Sequence, residues 1–261
     1  MLQWRAHQDA IYAINHVITS ELDEMWICSI DGNISIYPIT AKSIADATKT
    51  WKAYHKKKKI GVTGLLQVEN NMWSCSTQSP TIKIWDLKNK EKIGKIFIDK
   101  KSFVSAFYFS IELNVVCVCS PDTVYFFNPT APFELLGRYP LSHVGVNFKC
   151  LLSVGNLFWL GGSDSRIYIY EYDQQKDPPS FTLVNKLTAH CGKILTLCAD
   201  SDGFIWSGSF DEKIIIWDST TYQPITELGD PHKGAIRFIN VGVDSMWSVG
   251  CDDTLVKWLK L

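Results

Sequence analysis

Residues 186–218 read KLTAHCGKILTLCADSDGFIWSGSFDEKIIIWD, and this stretch decides the fold. Lys186-Leu187-Thr188 leads into His190, and Ile194-Leu195-Thr196-Leu197-Cys198 is a second strand-like run. Ile205-Trp206-Ser207-Gly208-Ser209 and Ile214-Ile215-Ile216-Trp217 flank the tight turn Asp211-Glu212. Two apolar runs joined by such a turn read as a β-hairpin. The unit is therefore four short strands, with a His between the first and second and an Asp between the third and fourth.

Working outward, the same order fills the chain. The Trp206 run has counterparts at Met25-Trp26-Ile27-Cys28-Ser29, Met72-Trp73-Ser74-Cys75-Ser76, Phe158-Trp159-Leu160-Gly161-Gly162 and Met246-Trp247-Ser248-Val249-Gly250. In Val115-Val116-Cys117, Val116 takes the Trp slot. Positions 26, 73, 116, 159, 206 and 247 are separated by 47, 43, 43, 47 and 41 residues. About eleven residues after each comes an aromatic: Tyr37, Trp85, Phe127, Tyr170, Trp217 or Trp258. A His precedes most copies, at His7, His55, His143, His190 and His232. Trp4 and Trp51 fall in the strand before the His, so all ten tryptophans occupy three slots of one repeat. A period in the forties marks a stacked-repeat architecture.

Composition narrows the function classes. The 261 residues are 46% hydrophobic, 20% charged and 13% aromatic, a globular profile with a heavy aromatic load. Lys+Arg 26 against Asp+Glu 27 leaves a net charge of −1, which excludes strong non-specific attraction of the whole chain to nucleic acid or membrane. No run approaches 18 apolar residues, and the N-terminal sequence lacks the apolar core of a signal peptide. The eight cysteines form no C-x-x-C pair and sit mostly in apolar runs, which predicts reduced thiols in a cytoplasmic chain with no metal framework.

The order His, strand, strand, Asp turn, then a strand closing on Trp85-Asp86 or Trp217-Asp218, resembles the WD40 repeat over essentially the whole length. That resemblance implies an all-β, WD40-type β-propeller of four-stranded blades. Six blades are expected, at approximately 7–54, 55–98, 99–140, 141–188, 189–229 and 230–261, in one domain spanning 1–261. The N-terminal strand 1–6 is expected to close the sixth blade, and the count becomes seven if flanking sequence is missing. Radial stacking supports this physically, because a four-stranded unit cannot bury both faces alone. Runs such as Ile214-Ile215-Ile216-Trp217 and Val124-Tyr125-Phe126-Phe127 read as strands buried on both sides.

In the family, a His, Ser, Asp and Trp form a hydrogen-bonded chain within a blade. Blades five and six carry all four, as His190, Ser207, Asp211, Trp217 and His232, Ser248, Asp252, Trp258. Blade three departs most, with Pro121 at the turn Asp and Phe127 for the Trp; Ser79 takes the Asp slot in blade two. A Ser/His/Asp set also suggests a hydrolase triad. Recurrence at the same repeat positions, a Ser inside a strand and the absence of a G-x-S-x-G elbow favour the structural role and a non-enzyme. No metal spacing, P-loop or dinucleotide fingerprint occurs, so no cofactor and no catalytic residue is expected. His16 lies outside the repeat pattern and has no obvious partner.

The resemblance places the loops between blades on the top face, and they carry charge. Lys56, Lys57, Lys58 and Lys59 follow His55; Lys100 and Lys101, Lys193 and Lys233 belong to the same loop set, against Asp9, Asp99 and Asp230. The expected partner-binding residues are Lys56, Lys57, Lys58, Lys59, Lys101, Lys193, Lys233 and the loop-adjacent Arg237. A basic rim suits an acidic or phosphorylated peptide, with anionic phospholipid as an alternative. The expected function is a protein-interaction scaffold within a multiprotein complex, with no nucleic acid involved. The competing reading is the regulatory propeller of a larger signalling protein, since the Trp-Ser/Cys-x-Ser variant looks similar to propellers of inositol-polyphosphate phosphatases and Rho-type exchange factors.

Overall fold

The computed structural model describes residues 6–54, 60–100, 102–141, 145–241 and 245–259. They form six antiparallel sheets of consecutive strands, the all-β blades of a β-propeller. Blade one holds Ile11–Ile18, Asp23–Ser29, Asn33–Pro38 and Lys49–Lys52; blade two holds Gly64–Val68, Asn71–Ser76, Ser79–Asp86 and Lys92–Phe97. Blade three holds Ala106–Ser110, Val115–Cys119, Thr123–Phe127 and Leu135–Pro140. Blade four holds Phe148–Val154, Leu157–Gly162, Arg166–Asp173 and Ser180–Thr188; blade five holds Ile194–Ala199, Phe204–Ser209, Ile214–Asp218 and Pro224–Leu228. The sixth sheet has three strands, Ile236–Val241, Ser245–Gly250 and Leu255–Leu259. The fourth strand expected there was to come from residues 1–6, of which 1–5, including Trp4, lie outside the described residues. Among the described residues the one helical turn is 3-10, at Ile44–Asp46, within the longer connection of blade one.

The chain divides into two compact units: Met1–Ser105 with Asn114–Val118 and Phe126–Leu136, and Ala106–Leu113 with Cys119–Tyr125 and Gly137–Leu261. In the first unit, Trp26, Cys28, Ile34 and Ile36 of blade one pack on Leu65, Met72 and Trp85 of blade two. Trp51, from the fourth strand, meets Trp26 edge-on at 5.6 Å and Trp85 at 5.1 Å. The three Trp slots of the repeat thus converge on one blade junction. Each aromatic pair adds roughly 0.5–1.5 kcal/mol to the area it buries.

The second unit repeats this junction twice. Trp159, Ile167 and Ile169 of blade four pack on Ile194, Leu197, Ile205 and Trp217 of blade five. Trp206, Ile214 and Ile216 of blade five pack on Ile236, Ile239, Met246 and Trp258 of blade six. At each of these three junctions the outgoing face is led by a second-strand Trp and the incoming face by a third-strand Trp.

The Asp of the closing Trp-Asp pair has a local cause. Asp218 Oδ1 accepts the backbone N–H groups of Thr220 and Thr221 at 2.8 and 2.7 Å, and Asp86 Oδ1 accepts that of Asn89 at 2.6 Å. The side chain closes the turn into the fourth strand, as Asp does in an Asx turn.

Candidate functional site

In blade five, the strand Phe204–Ser209 carries Ser207 inward, and Ile214–Asp218 lays Trp217 beside it. Trp217 Nε1 donates to Ser207 Oγ at 2.8 Å, Ser207 Oγ lies 2.8 Å from His190 Nε2, and His190 Nδ1 lies 2.9 Å from Asp211 Oδ2. With Nδ1 donating to the carboxylate, Nε2 accepts the Ser207 hydroxyl proton, and every link in the chain is satisfied. Blade six repeats the set: Trp258 Nε1 to Ser248 Oγ at 2.8 Å, Ser248 Oγ to His232 Nε2 at 2.7 Å, His232 Nδ1 to Asp252 Oδ1 at 3.3 Å.

These distances match those of a nucleophile activated by a base, yet the surroundings do not suit attack. Ser207 and Ser248 are fully buried, and each Oγ already accepts an indole N–H. A nucleophile needs a substrate carbonyl within about 3–3.5 Å, and no open approach leads to either oxygen.

The turn carboxylates are held ionised. Burial alone would raise Asp211; the hydrogen bond and charge of His190 and the N–H groups of Cys191 and Lys213 outweigh it and hold the carboxyl down to about 2. Asp252 is lowered chiefly by the Thr254 hydroxyl, against a desolvation penalty, with help from the backbone N–H groups of Lys233 and Thr254 and from His232. Charge in these turns is thus committed internally.

The other blades keep parts of the device. In blade one His7 Nδ1 lies 3.0 Å from Asp31 Oδ2, while Ile27 takes the serine slot and Tyr37 the Trp slot. In blade two Ser74 Oγ accepts Trp85 Nε1–H at 2.9 Å. Ser79 Oγ accepts the N–H of Thr81 at 3.2 Å, as Asp31 Oδ1 accepts that of Asn33 at 2.8 Å. In blade three the turn acid is displaced by one residue, because Pro121 has no side-chain acceptor. Asp122 Oδ1 takes hydrogen bonds from Ser120 Oγ at 3.2 Å and Thr123 Oγ1 at 3.0 Å. His55 and His143 lie outside the described residues. His16 does have a partner: its Nε2 lies 2.7 Å from Asp23 Oδ1 in an exposed pair.

Of the basic residues expected to bind a partner, Lys56, Lys57, Lys58, Lys59 and Lys101 lie outside the described residues. Lys193, Lys233 and Arg237 are all exposed in the second unit. Arg237 is within a strand, at a register shift between Ile236 and Phe238. The same shift occurs between Ile194 and Thr196 in blade five and between Phe148 and Cys150 in blade four. A bulge inserts one residue and re-aims its side chain. The inserted residues on these three consecutive blades are Lys149, Leu195 and Arg237.

Beside each bulge lies the residue that opens the hairpin turn. The N–H groups of Ser163, Phe210 and Cys251 donate to the carbonyls of Asn147, Lys193 and Ala235 at 3.0, 2.9 and 2.9 Å, stitching turn to bulge. Phe210 is 61% exposed, and Arg237 Nε donates to Cys251 Sγ at 3.0 Å. The second unit thus exposes Lys149, Lys193, Arg237 and Phe210 at the bulges and turns of three consecutive blades, while Lys233 is engaged by Asp230 at 3.3 Å. Lys149 and Phe210 escaped the sequence reading. Aligning Phe148-Lys149-Cys150 with Ile236-Arg237-Phe238 would have found the first, whereas no pattern announces that Phe210 stays exposed. Among the described residues no three His, Cys, Asp or Glu side chains group as metal ligands.

Comparison with known proteins gives a distant likeness. The chain is 23% identical over 183 residues to echinoderm microtubule-associated protein-like 4 of Mus musculus, across 65% of this chain and 18% of that protein. The Homo sapiens protein is 24% identical over 183 residues and the Xenopus laevis protein 23% over 185, each across 65% of this chain. This chain spans about a fifth of the length of these curated relatives. No family model matches.

Proposed function

We propose that the chain is a non-enzymatic interaction module that binds an acidic protein surface at the bulged blade ends of its second unit. The observation that carries this reading is the recurring bulge that sets Lys149, Leu195 and Arg237 on consecutive blades, with exposed Phe210 bonded to the blade-five bulge through Lys193. Cations around an aromatic anchor, on strands whose geometry is already fixed, bind with little ordering cost. The buried serines of the two His–Ser–Asp–Trp sets serve the blades and do no chemistry. A cytoplasmic scaffold role accords with the eight free thiols.

The relatives' name supplies the first partner to try, a microtubule. Co-sedimentation with assembled microtubules is expected to show saturable pelleting that weakens with salt. It should fall at least tenfold in Arg237→Glu and Lys149→Glu, both at exposed positions; Arg237→Glu also gives up its hydrogen bond to Cys251. Pelleting that the two variants do not change would overturn the site. Absence of pelleting together with salt-sensitive retention on anionic vesicles, lost in the same variants, would replace the protein partner with a lipid surface.

A further inference from the structure

Lys83 stands in a slot that other blades fill with a buried neutral side chain. The slot lies in the third strand, opposite the residue that follows the second-strand Trp. Ser35 holds it in blade one, Tyr168 in blade four and Ile215 in blade five, each at most 2% exposed. On the fourth strand, Ser35 meets Thr50, whose hydroxyl donates to it at 3.0 Å. Tyr168 meets Lys186, whose Nζ lies 5.1 Å from its ring, and Ile215 meets Glu227. In blade two Ser74 faces Lys83 and Lys83 faces Lys95, so two like charges stand directly opposite each other. Like charges in that position destabilise a sheet.

A slip in register brings a third cation to the same face. Ile84 pairs with Gly94 and Trp85 with Lys92, which leaves Ile93 as the inserted residue. In a regular strand Lys92 and Lys95 would point to opposite faces; the bulge puts both on the face of Lys83 and Trp85. Lys83 is half-buried, and Lys92 and Lys95 are exposed. Among the described residues none of the three forms a salt bridge. The strand Lys92–Phe97 and the facing strand Lys49–Lys52 of blade one contain no acid. Lys83 Nζ donates to the Ala53 carbonyl and lies 4.6 Å from the Tyr54 ring centroid, which fixes the ammonium and uses one of its three N–H groups. Burial holds its pKa below the ordinary lysine range, and repulsion from Lys92 and Lys95 adds to the shift.

We infer that Lys83, Lys92 and Lys95 form a phosphate-binding site on the outer two strands of blade two. Lysines on an edge strand guard it against pairing with another chain, and that accounts for Lys92 and Lys95 alone. It does not account for Lys83, which lies in an interior strand and is held in place by a carbonyl and a ring. A phosphate group carries a charge of about −1.5 to −2 and three acceptor oxygens, enough to turn the repulsion among three ammonium groups into attraction. The site belongs to the first unit and shares no residue with the bulges that carry Lys149 and Arg237. A soluble phosphorylated compound and a lipid headgroup supply the same chemistry, and the test separates them.

Calorimetric titration of the 261-residue chain with inorganic pyrophosphate, at constant ionic strength, tests this. Saturable binding with a Kd below about 1 mM is expected. It should weaken about tenfold or more in the double variant Lys92→Gln with Lys95→Gln, and stay at the wild-type value in Lys149→Glu with Arg237→Glu. Lys92 and Lys95 are exposed, so the first variant should keep the wild-type circular dichroism. Lys95→Glu gives a second readout: without anion it should raise the urea midpoint, because Lys83 then faces an opposite charge, and it should abolish pyrophosphate binding. Retention on vesicles containing phosphatidylinositol bisphosphate, competed by pyrophosphate and lost in the Lys92/Lys95 variant, assigns a lipid headgroup; pyrophosphate binding without retention assigns a soluble phosphate. Absence of saturable binding, binding that the Lys92/Lys95 variant leaves unchanged, or a Lys95→Glu midpoint below wild type would overturn the inference.

Discussion

Ser207→Ala isolates what the hydrogen-bonded chain contributes to blade five. The serine hydroxyl is the only group that accepts the Trp217 indole N–H and meets His190 Nε2 at once, at 2.8 Å to each. Removing it leaves one donor and one acceptor in a region where Trp217 is 2% and the His190 side chain 1% exposed, so water cannot replace it. Each orphaned buried group costs about 1–3 kcal/mol, which predicts a loss of about 2–6 kcal/mol. Equilibrium urea unfolding, followed by Trp fluorescence and circular dichroism, reads this as a lower midpoint at an unchanged m value. The double variant with Trp217→Phe is the sharper arm. Once the indole N–H is gone, deleting the hydroxyl orphans one group fewer, so the double should cost about 1–2 kcal/mol less than the sum of the singles. A Ser207→Ala variant within about 0.5 kcal/mol of wild type, or strict additivity, would refute the reasoning.

Asp211 titrates below its ordinary range when folded, so its contribution is complete above about pH 4 and disappears as pH falls toward about 2; the urea midpoint of wild type should drop more steeply there than that of Asp211→Asn, and parallel curves would count against it. Lys90 and Glu24 form a buried pair, with Lys90 also donating to the Leu87 carbonyl and its Nζ lying 5.4 Å from the Trp26 ring. Lys90→Met should cost about 3 kcal/mol by stranding the carboxylate, and adding Glu24→Gln should recover much of it; equal losses would show that the pair is not coupled. A thiol reagent should modify Cys191 and Cys251 quickly in the native chain. Burial raises the Cys28 thiol to about 12 and Cys198 to about 11, and raises Cys75 and Cys150 as well, so these react only on unfolding. More than two fast thiols would contradict the packing.

The repeat was legible because its determinants are local. Alternation sets strand faces, an Asp side chain closes the turn on its own backbone, and a one-in-forty Trp marks the second strand of every blade but the third. The His–Ser–Asp–Trp slots follow from the same spacing. Where the pattern failed, at blade three, the reason is also local: Pro121 has no side-chain acceptor, so Asp122 supplies one.

What the linear pattern does not encode is which faces meet and where a strand slips by one residue. The bulges that aim Lys149 and Arg237 depend on pairing with a neighbouring strand, so they have no signature in alternation alone. Lys90 and Glu24 are 66 residues apart, and only the stacking of two blades joins them. Hydrophobicity is a property of each residue and was plain from the start, whereas burial belongs to a pair of surfaces and was settled only by the tertiary structure.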